Sequence, residues 1–172
     1  MTSMNKITIC GRPGSGKTTL ANKLGEKLSI PVYHLDKIFW TEKGGIKQDV
    51  FVEKIEEIIN GNDKWIIEGS MPRSKTFPIR LSHADTIILL DIPVWKVLWR
   101  QAKRFFKYYG QVRPDMADGN VQKFPFTWHD IKYSWTYPVK EMYSQSFAYR
   151  NQKRIIVIRN NRAQKKFLGM IS

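Results

Sequence analysis

Gly11-Arg12-Pro13-Gly14-Ser15-Gly16-Lys17-Thr18 fits the pattern G-x-x-x-x-G-K-[ST], and its surroundings are those the pattern requires. Ahead of it, Ile7-Thr8-Ile9-Cys10 is a short apolar run suited to a buried strand. Behind it, Leu20, Ala21, Leu24 and Leu28 recur at helical spacing, which predicts a helix starting at about Lys17. Glycines in the turn let backbone N–H groups point inward around a phosphate, and a helix N-terminus adds its positive end. The Lys17 ammonium can reach the β- and γ-phosphates, and the Thr18 hydroxyl can ligate Mg²⁺. The plain alternative is a glycine-rich turn that binds nothing. The flanking strand and helix favour a nucleoside triphosphate site. Its phosphate contacts are expected from Gly11, Pro13, Gly14, Ser15, Gly16 and Lys17, joined by Thr18 and Thr19 in the first helical turn.

The 172 residues predict one domain, and 42% hydrophobic with 13% aromatic content predicts a folded core. Cys10 is the only cysteine, so no intramolecular disulfide forms; in a buried strand its thiol should be inert. No signal-peptide pattern or membrane-length apolar run is visible, and the expected location is the cytoplasm. A net charge of +14 invites a nucleic-acid or membrane partner. It also suits a site that gathers two phosphorylated ligands. The basic residues recur from Lys6 to Lys166 and are densest between Lys96 and Lys107.

Further strands are expected at Val32–Leu35, Trp65–Ile67, Thr86–Leu90 and Ile155–Ile158, most of them continuously apolar, as strands covered on both faces should be. Helical patterns lie between them: Asp49–Asn60, Pro93–Tyr108 with Val94, Leu98, Ala102 and Phe105 as its buried stripe, and Trp128–Tyr149, which Pro138 should kink or break. A last short helix is expected at Ala163–Leu168. The alternation predicts an α/β fold: a five-stranded parallel sheet flanked by helices in the three-layer P-loop NTPase manner. Gly110 to Pro125 has two Gly, two Pro and little apolar periodicity, and it reads as the core of a lid loop spanning about 108–126.

The second informative stretch is Trp65-Ile66-Ile67-Glu68-Gly69-Ser70-Met71-Pro72-Arg73. It resembles the segment of adenylate kinase and related nucleoside-monophosphate kinases that runs strand, Asp, Gly, aromatic, Pro, Arg. The phosphate loop and Leu89-Leu90-Asp91-Ile92-Pro93 are similar to the same group. The resemblance is closer to the adenylate-kinase-like bacterial family labelled DNA topology modulation proteins. It is carried by His34-Leu35-Asp36 with Phe39-Trp40, by Trp65 to Gly69, by Ala84 to Asp91 and by Arg113 to Gly119. It implies ATP and Mg²⁺ as ligands, with Glu68 at the metal's hydration shell and Arg73 on the acceptor's phosphate. Arg100 and Arg104 fall at the start of the lid, and Arg159 or Asn160 lies against the donor base. The chain lacks the family's double arginine in the lid and its helical insert after the second strand, which leaves the acceptor open.

Other candidates come from position. Asp36 follows a strand, at the sheet edge where ligands bind in open α/β sheets; it can accept a proton or hydrogen bond from an acceptor hydroxyl, or simply cap a helix. His34 reads as an ordinary strand residue, and Phe39 and Trp40 as either an aromatic wall or core. Arg73 and Arg80 are expected to flank a short helix after Glu68 and to share one face, suiting a phosphate or carboxylate. Lys96, Arg100, Lys103 and Lys107 should form a cationic stripe opposite Leu98, and Arg113 is a further lid candidate. Asp85 and Asp91 read as structural, and the aromatics of Trp128–Phe147 as core. The reading that follows is a kinase moving the γ-phosphoryl group of ATP·Mg²⁺ to a small nucleotide, nucleoside or hydroxylated metabolite, with Lys17, Asp36, Arg73, Arg100 and Arg104 doing the chemistry. The rival is a nucleic-acid-associated ATPase affecting DNA topology. No nucleic-acid-binding module is visible for that role.

Overall fold

The computed structural model describes residues 4–41, 44–107 and 128–171, with the side chains of 104–107 and 128–131 set aside. Five strands form one parallel sheet: β1 (Lys6–Gly11), β2 (Val32–His34), β5 (Trp65–Glu68), β6 (Thr86–Leu90) and β7 (Arg154–Ile158). Their order across the sheet is β2-β5-β1-β6-β7. All five expected strands are present. A two-residue hairpin of β3 (Trp40–Thr41) and β4 (Gly44–Gly45) was not anticipated, being too short to leave a pattern.

The continuous apolar runs have the cause inferred for them. Side chains alternate between two faces along a strand. Ile7, Ile9, Ile66, Ile88 and Leu90 enter one cluster, with Leu20 and Leu24 of α1 (Lys17–Leu28), Val97 of α5 (Val94–Lys107) and Phe167 of α8 (Asn161–Met170). Cys10, Trp65, Ile67, Ile87 and Leu89 enter the other, with Phe51 and Ile55 of α3 (Gln48–Gly61), Phe77 and Leu81 of α4 (Thr76–His83), and Met142 of α7 (Val139–Phe147). Helices therefore cover both faces, and a polar residue at any of these strand positions would lose about 1.5–3 kcal/mol of burial.

The long helix expected over Trp128–Tyr149 is two helices, α6 (Trp128–Thr136) and α7, with Pro138 as the N-cap of the second. A proline there cannot donate into the first helix, so the chain breaks where the sequence says it must. The helix aromatics depart from expectation. Tyr137 and Met142 are buried, but Tyr133 is 50% and Trp135 65% exposed, so they are not core. Among the described side chains of α5 the buried ones are Val97 and Gln101 rather than Val94, Leu98 and Ala102, and Phe105 lies outside the described side chains.

Chain order places the site. From β1 the chain runs to one side of the sheet for β2 and β5, then crosses to the other side for β6 and β7. The direction of winding reverses at β1, and in open α/β sheets the crevice beyond the carboxyl ends at such a point takes the ligand. The glycine-rich stretch leaves β1 there.

Candidate functional site

Gly14 and Gly16 hold φ of +80° and +98°, left-handed values that cost an L side chain strain. Gly16 is also the N-cap of α1, and no side chain caps that helix. The first amides of a helix have no partner within it, so those of Lys17, Thr18 and Thr19 are presented at the loop. Lys17 folds back over it, its Nζ donating to the Arg12 carbonyl at 3.1 Å. The Ser15 hydroxyl is buried and has no hydrogen-bond partner among the described residues. A donor left unpaired in such a place suits an anion.

Glu68 ends β5 and is only 5% exposed. Its Oε1 accepts from the Thr18 hydroxyl at 3.1 Å and pairs with His34 Nδ1 at 2.9 Å. Burial pushes the carboxyl up. The hydrogen bond from His34, the charge of Lys17 and the bond from Thr18 outweigh it and hold the group below its ordinary value. A hydroxyl and an ionised carboxylate beside the phosphate loop are hard oxygen donors, a set that fits Mg²⁺ carried on nucleotide phosphates. Next to Glu68, Ser70 ties the loop to the strand. The Gly11 N–H donates to Ser70 Oγ, which donates back to the Gly11 carbonyl, both at 2.7 Å.

The second group of candidate residues is less as expected. The strand ends at His34, so Leu35 opens α2 (Leu35–Phe39) and Asp36 stands exposed in its first turn. Asp36 is not a cap; His34 occupies that position. Tyr133 stands near it: the hydroxyl's pKa is raised by burial and by the Asp36 carboxylate, and lowered by Arg73. Tyr133, which the sequence reading took for core, is thus within electrostatic reach of both Asp36 and Arg73. Arg73 lies before α4, is largely exposed, and makes a two-pronged bond to Glu141 at 3.0 and 2.8 Å.

Arg80 corrects the sequence reading. It is wholly buried and donates to the carbonyls of Gly69, Ser70 and Thr76 and to Thr8 Oγ1, so it shares no open face with Arg73. The cause is its helix position: Phe77 and Leu81 on α4 go into the core, and Arg80 goes with them.

Arg100 meets the phosphate loop from outside, donating to the Ser15 carbonyl at 2.8 Å and to Asn161 Oδ1 at 2.5 Å. Its neighbour Gln101 donates to the Pro13 carbonyl and exchanges bonds with Ser134. The cationic stripe is accordingly broken: Arg100 turns inward, Lys96 lies over the Trp95 ring, and Lys103 remains exposed. Arg159 sits 3.5 Å from Asp91, and Asn160 is spent as the N-cap of α8, accepting from Ala163. Asp85 is structural, as read, taking the amides of Asn5 and Lys6. The side chains of Arg104 and Lys107, Arg113 and the lid segment 108–126 lie outside the described residues.

A parallel sheet wound away from a glycine-rich loop, with a lysine over the loop and a Thr–Glu pair beside it, defines a P-loop NTPase. The chain belongs to the NB-ARC domain family, which matches residues 1–112 and so takes in the phosphate loop and the four strands β1, β2, β5 and β6 of the main sheet. Other resemblances run to kinases. A protein of Sulfurisphaera tokodaii bearing the name of an adenylate kinase is 28% identical over 103 residues; the match covers 57% of this chain and about half, 54%, of that protein. The shikimate kinase of Rhodococcus jostii is 24% identical over 132 residues, covering 69% of this chain and 74% of its own. In fold, shikimate kinase from Acinetobacter baumannii in complex with shikimate is similar at a TM-score of 0.61 and 15% identity, over 98% of this chain and 91% of that one. None of the described helices is long and apolar enough to cross a membrane.

Proposed function

We propose that the protein is a P-loop kinase that moves the γ-phosphoryl group of ATP to a hydroxyl of a small acceptor. The observation that carries this reading is the convergence of Lys17, Thr18 and Glu68 on one end of the sheet, with Asp36 beyond the neighbouring strand. The amides of Gly14 to Thr19 bind the triphosphate, and Lys17 balances charge that develops as the β–γ bridge opens. Thr18 and Glu68 hold Mg²⁺, which neutralises phosphate charge when bound. The acceptor oxygen attacks the γ-phosphorus, the bond from phosphorus to the bridging oxygen breaks, and ADP departs. The hydroxyl proton passes to the Asp36 carboxylate. Arg73 and Tyr133 orient the acceptor, and Arg100 and Arg159 serve the donor side.

The kinase names among the relatives support phosphoryl transfer, and the acceptor is left as a hydroxylated small molecule. The nucleic-acid reading draws on the net charge of +14, and part of that charge is spent internally, on the contacts of Arg12, Arg80 and Arg100. The test is transfer from γ-labelled ATP to a panel of nucleoside monophosphates, nucleosides, hydroxylated metabolites and 5′-hydroxyl oligonucleotides. A labelled product that falls about a hundredfold or more in Lys17→Ala is the expected result. Slow hydrolysis alone across the panel, or full turnover by Lys17→Ala, overturns the reading.

A further inference from the structure

We infer that His34 is a positioning residue for the cation site: its ring N–H fixes the Glu68 carboxylate in the one orientation that serves a nucleotide-bound divalent metal. This rests on the kinase reading and adds to it a residue that makes no contact with substrate.

The placement follows from strand register. β2 and β5 are adjacent and parallel, and His34 and Glu68 are direct partners across them, each the last residue of its strand. Partners in register point to the same face of a sheet, so the two side chains must meet. They meet at 2.9 Å, through Nδ1 and Oε1. An ionised carboxylate only accepts hydrogen bonds, so the proton of the bond belongs to Nδ1. His34 is therefore a donor to Glu68 through Nδ1 and cannot bind a metal with that atom.

The second donor to Oε1 is the Thr18 hydroxyl at 3.1 Å. Two donors from different elements, one strand and one helix, fall on the same oxygen. Glutamate has three side-chain torsions, and its terminal one turns broadly. One donor leaves the carboxylate free to swing; two on one oxygen hold its plane. Oε2 takes no part in either bond and is available to a cation or its water, while the Thr18 oxygen, its proton given to Glu68, keeps its lone pairs for the metal. Partners of this kind, one bond removed from a metal, characteristically change affinity by about 10- to 100-fold when lost.

The test uses the full chain with the ATP analogue AMP-PNP and Mn²⁺ as the metal probe, binding read by Mn²⁺ electron paramagnetic resonance. Nucleotide binding is measured separately without metal. His34→Asn keeps an N–H close to the place of Nδ1, whereas His34→Leu fills the volume and donates nothing. The expected result is Mn²⁺ affinity down about tenfold or more in His34→Leu and within a few-fold of wild type in His34→Asn, with metal-free AMP-PNP binding the same in all three. Equal Mn²⁺ affinity in wild type and His34→Leu overturns the inference. So does a parallel loss of metal-free nucleotide binding in both variants, which would mark a structural role. A measurement without variants stands beside these. With three histidines in the chain, ¹⁵N spectra of the imidazoles resolve the tautomer of His34. A proton on Nδ1 is expected, and a ring protonated on Nε2 alone overturns the proposal even if His34→Leu does not fold. If wild type takes up no Mn²⁺ with AMP-PNP at all, the kinase reading fails on its own, a result visible before any variant is made.

Discussion

Arg80→Met should destabilise the protein more than any single change at the exposed arginines. The guanidinium is fully buried and has two short bonds, 2.8 Å to the Gly69 carbonyl and 2.6 Å to that of Ser70, with longer ones of 3.3 Å to Thr76 and Thr8. Hydrogen bonds from a charged donor contribute about 1.5–3 kcal/mol each, so the two short ones amount to roughly 3–6 kcal/mol. Burial opposes this, and it is the largest influence pushing the Arg80 pKa down. Removing the charge recovers part of that desolvation, and methionine keeps the apolar stem. The expected balance is a loss of about 2–4 kcal/mol, a large share of the 5–15 kcal/mol typical of a folded domain. Arg80→Lys, with one nitrogen in place of three, should fall between the two. The assay is guanidinium denaturation followed by far-UV circular dichroism and by emission from tryptophan, since Trp65 is buried in the core cluster that also holds Phe77 and Leu81 of α4. A loss below about 0.5 kcal/mol for Arg80→Met would refute the argument that Arg80 holds the turn after Glu68.

Three other outcomes are expected. Gly14→Ala places a Cβ 2.9 Å from Gln101 Cγ at a φ of +80°, so thermal melting should register a loss of about 1–3 kcal/mol, with weaker nucleotide binding in calorimetry. Glu68 has its folded-state pKa below the unfolded value, so its contribution to stability is present above the unfolded value and is lost as pH falls through the folded one. Acid titration below about pH 4 should therefore destabilise wild type more steeply than Glu68→Gln, and equal slopes would contradict the assignment. Cys10 is buried, and burial pushes its thiol up, so a thiol reagent should label it only at the rate of unfolding; rapid labelling of native protein would place it elsewhere.

The donor side of the site was legible because its determinants are local. Strand, loop, Lys17 and Thr18 lie within a dozen residues, and Glu68 was reached through the resemblance that the Trp65–Arg73 stretch carries. What was misread depended on partners far along the chain. Arg80 was placed on an open face with Arg73 because nothing near it in sequence shows that the Gly69 and Ser70 carbonyls would need a donor. Tyr133 looked like core because helical spacing gives a face and not what the face meets. His34 was passed over for a similar reason. Only the adjacency of β2 and β5 makes it the neighbour of Glu68, and that adjacency is a property of the whole sheet. Its signal in the sequence is that His34 and Glu68 each close a short strand, a coincidence that gains meaning once strand order is known.

The phosphate loop itself shows how far a local motif needs distant support. A loop that turns its N–H groups inward must turn carbonyls outward, and a carbonyl facing protein needs a donor. Lys17 serves Arg12, Gln101 serves Pro13 and Arg100 serves Ser15. Two of these three donors come from α5, on the far side of the sheet crossing, and the motif specifies neither. Arg12 extends the arrangement in the other direction: its guanidinium donates to the carbonyl of Ser134 at 2.7 Å, in the last turn of the helix that carries Tyr133. A shift in the loop on binding phosphate would therefore be felt at once by α5 through carbonyls and by α6 through Arg12. The same contacts that keep the loop in shape run from it to the helix that carries Tyr133. That is the arrangement a kinase needs if the donor is to help place the acceptor.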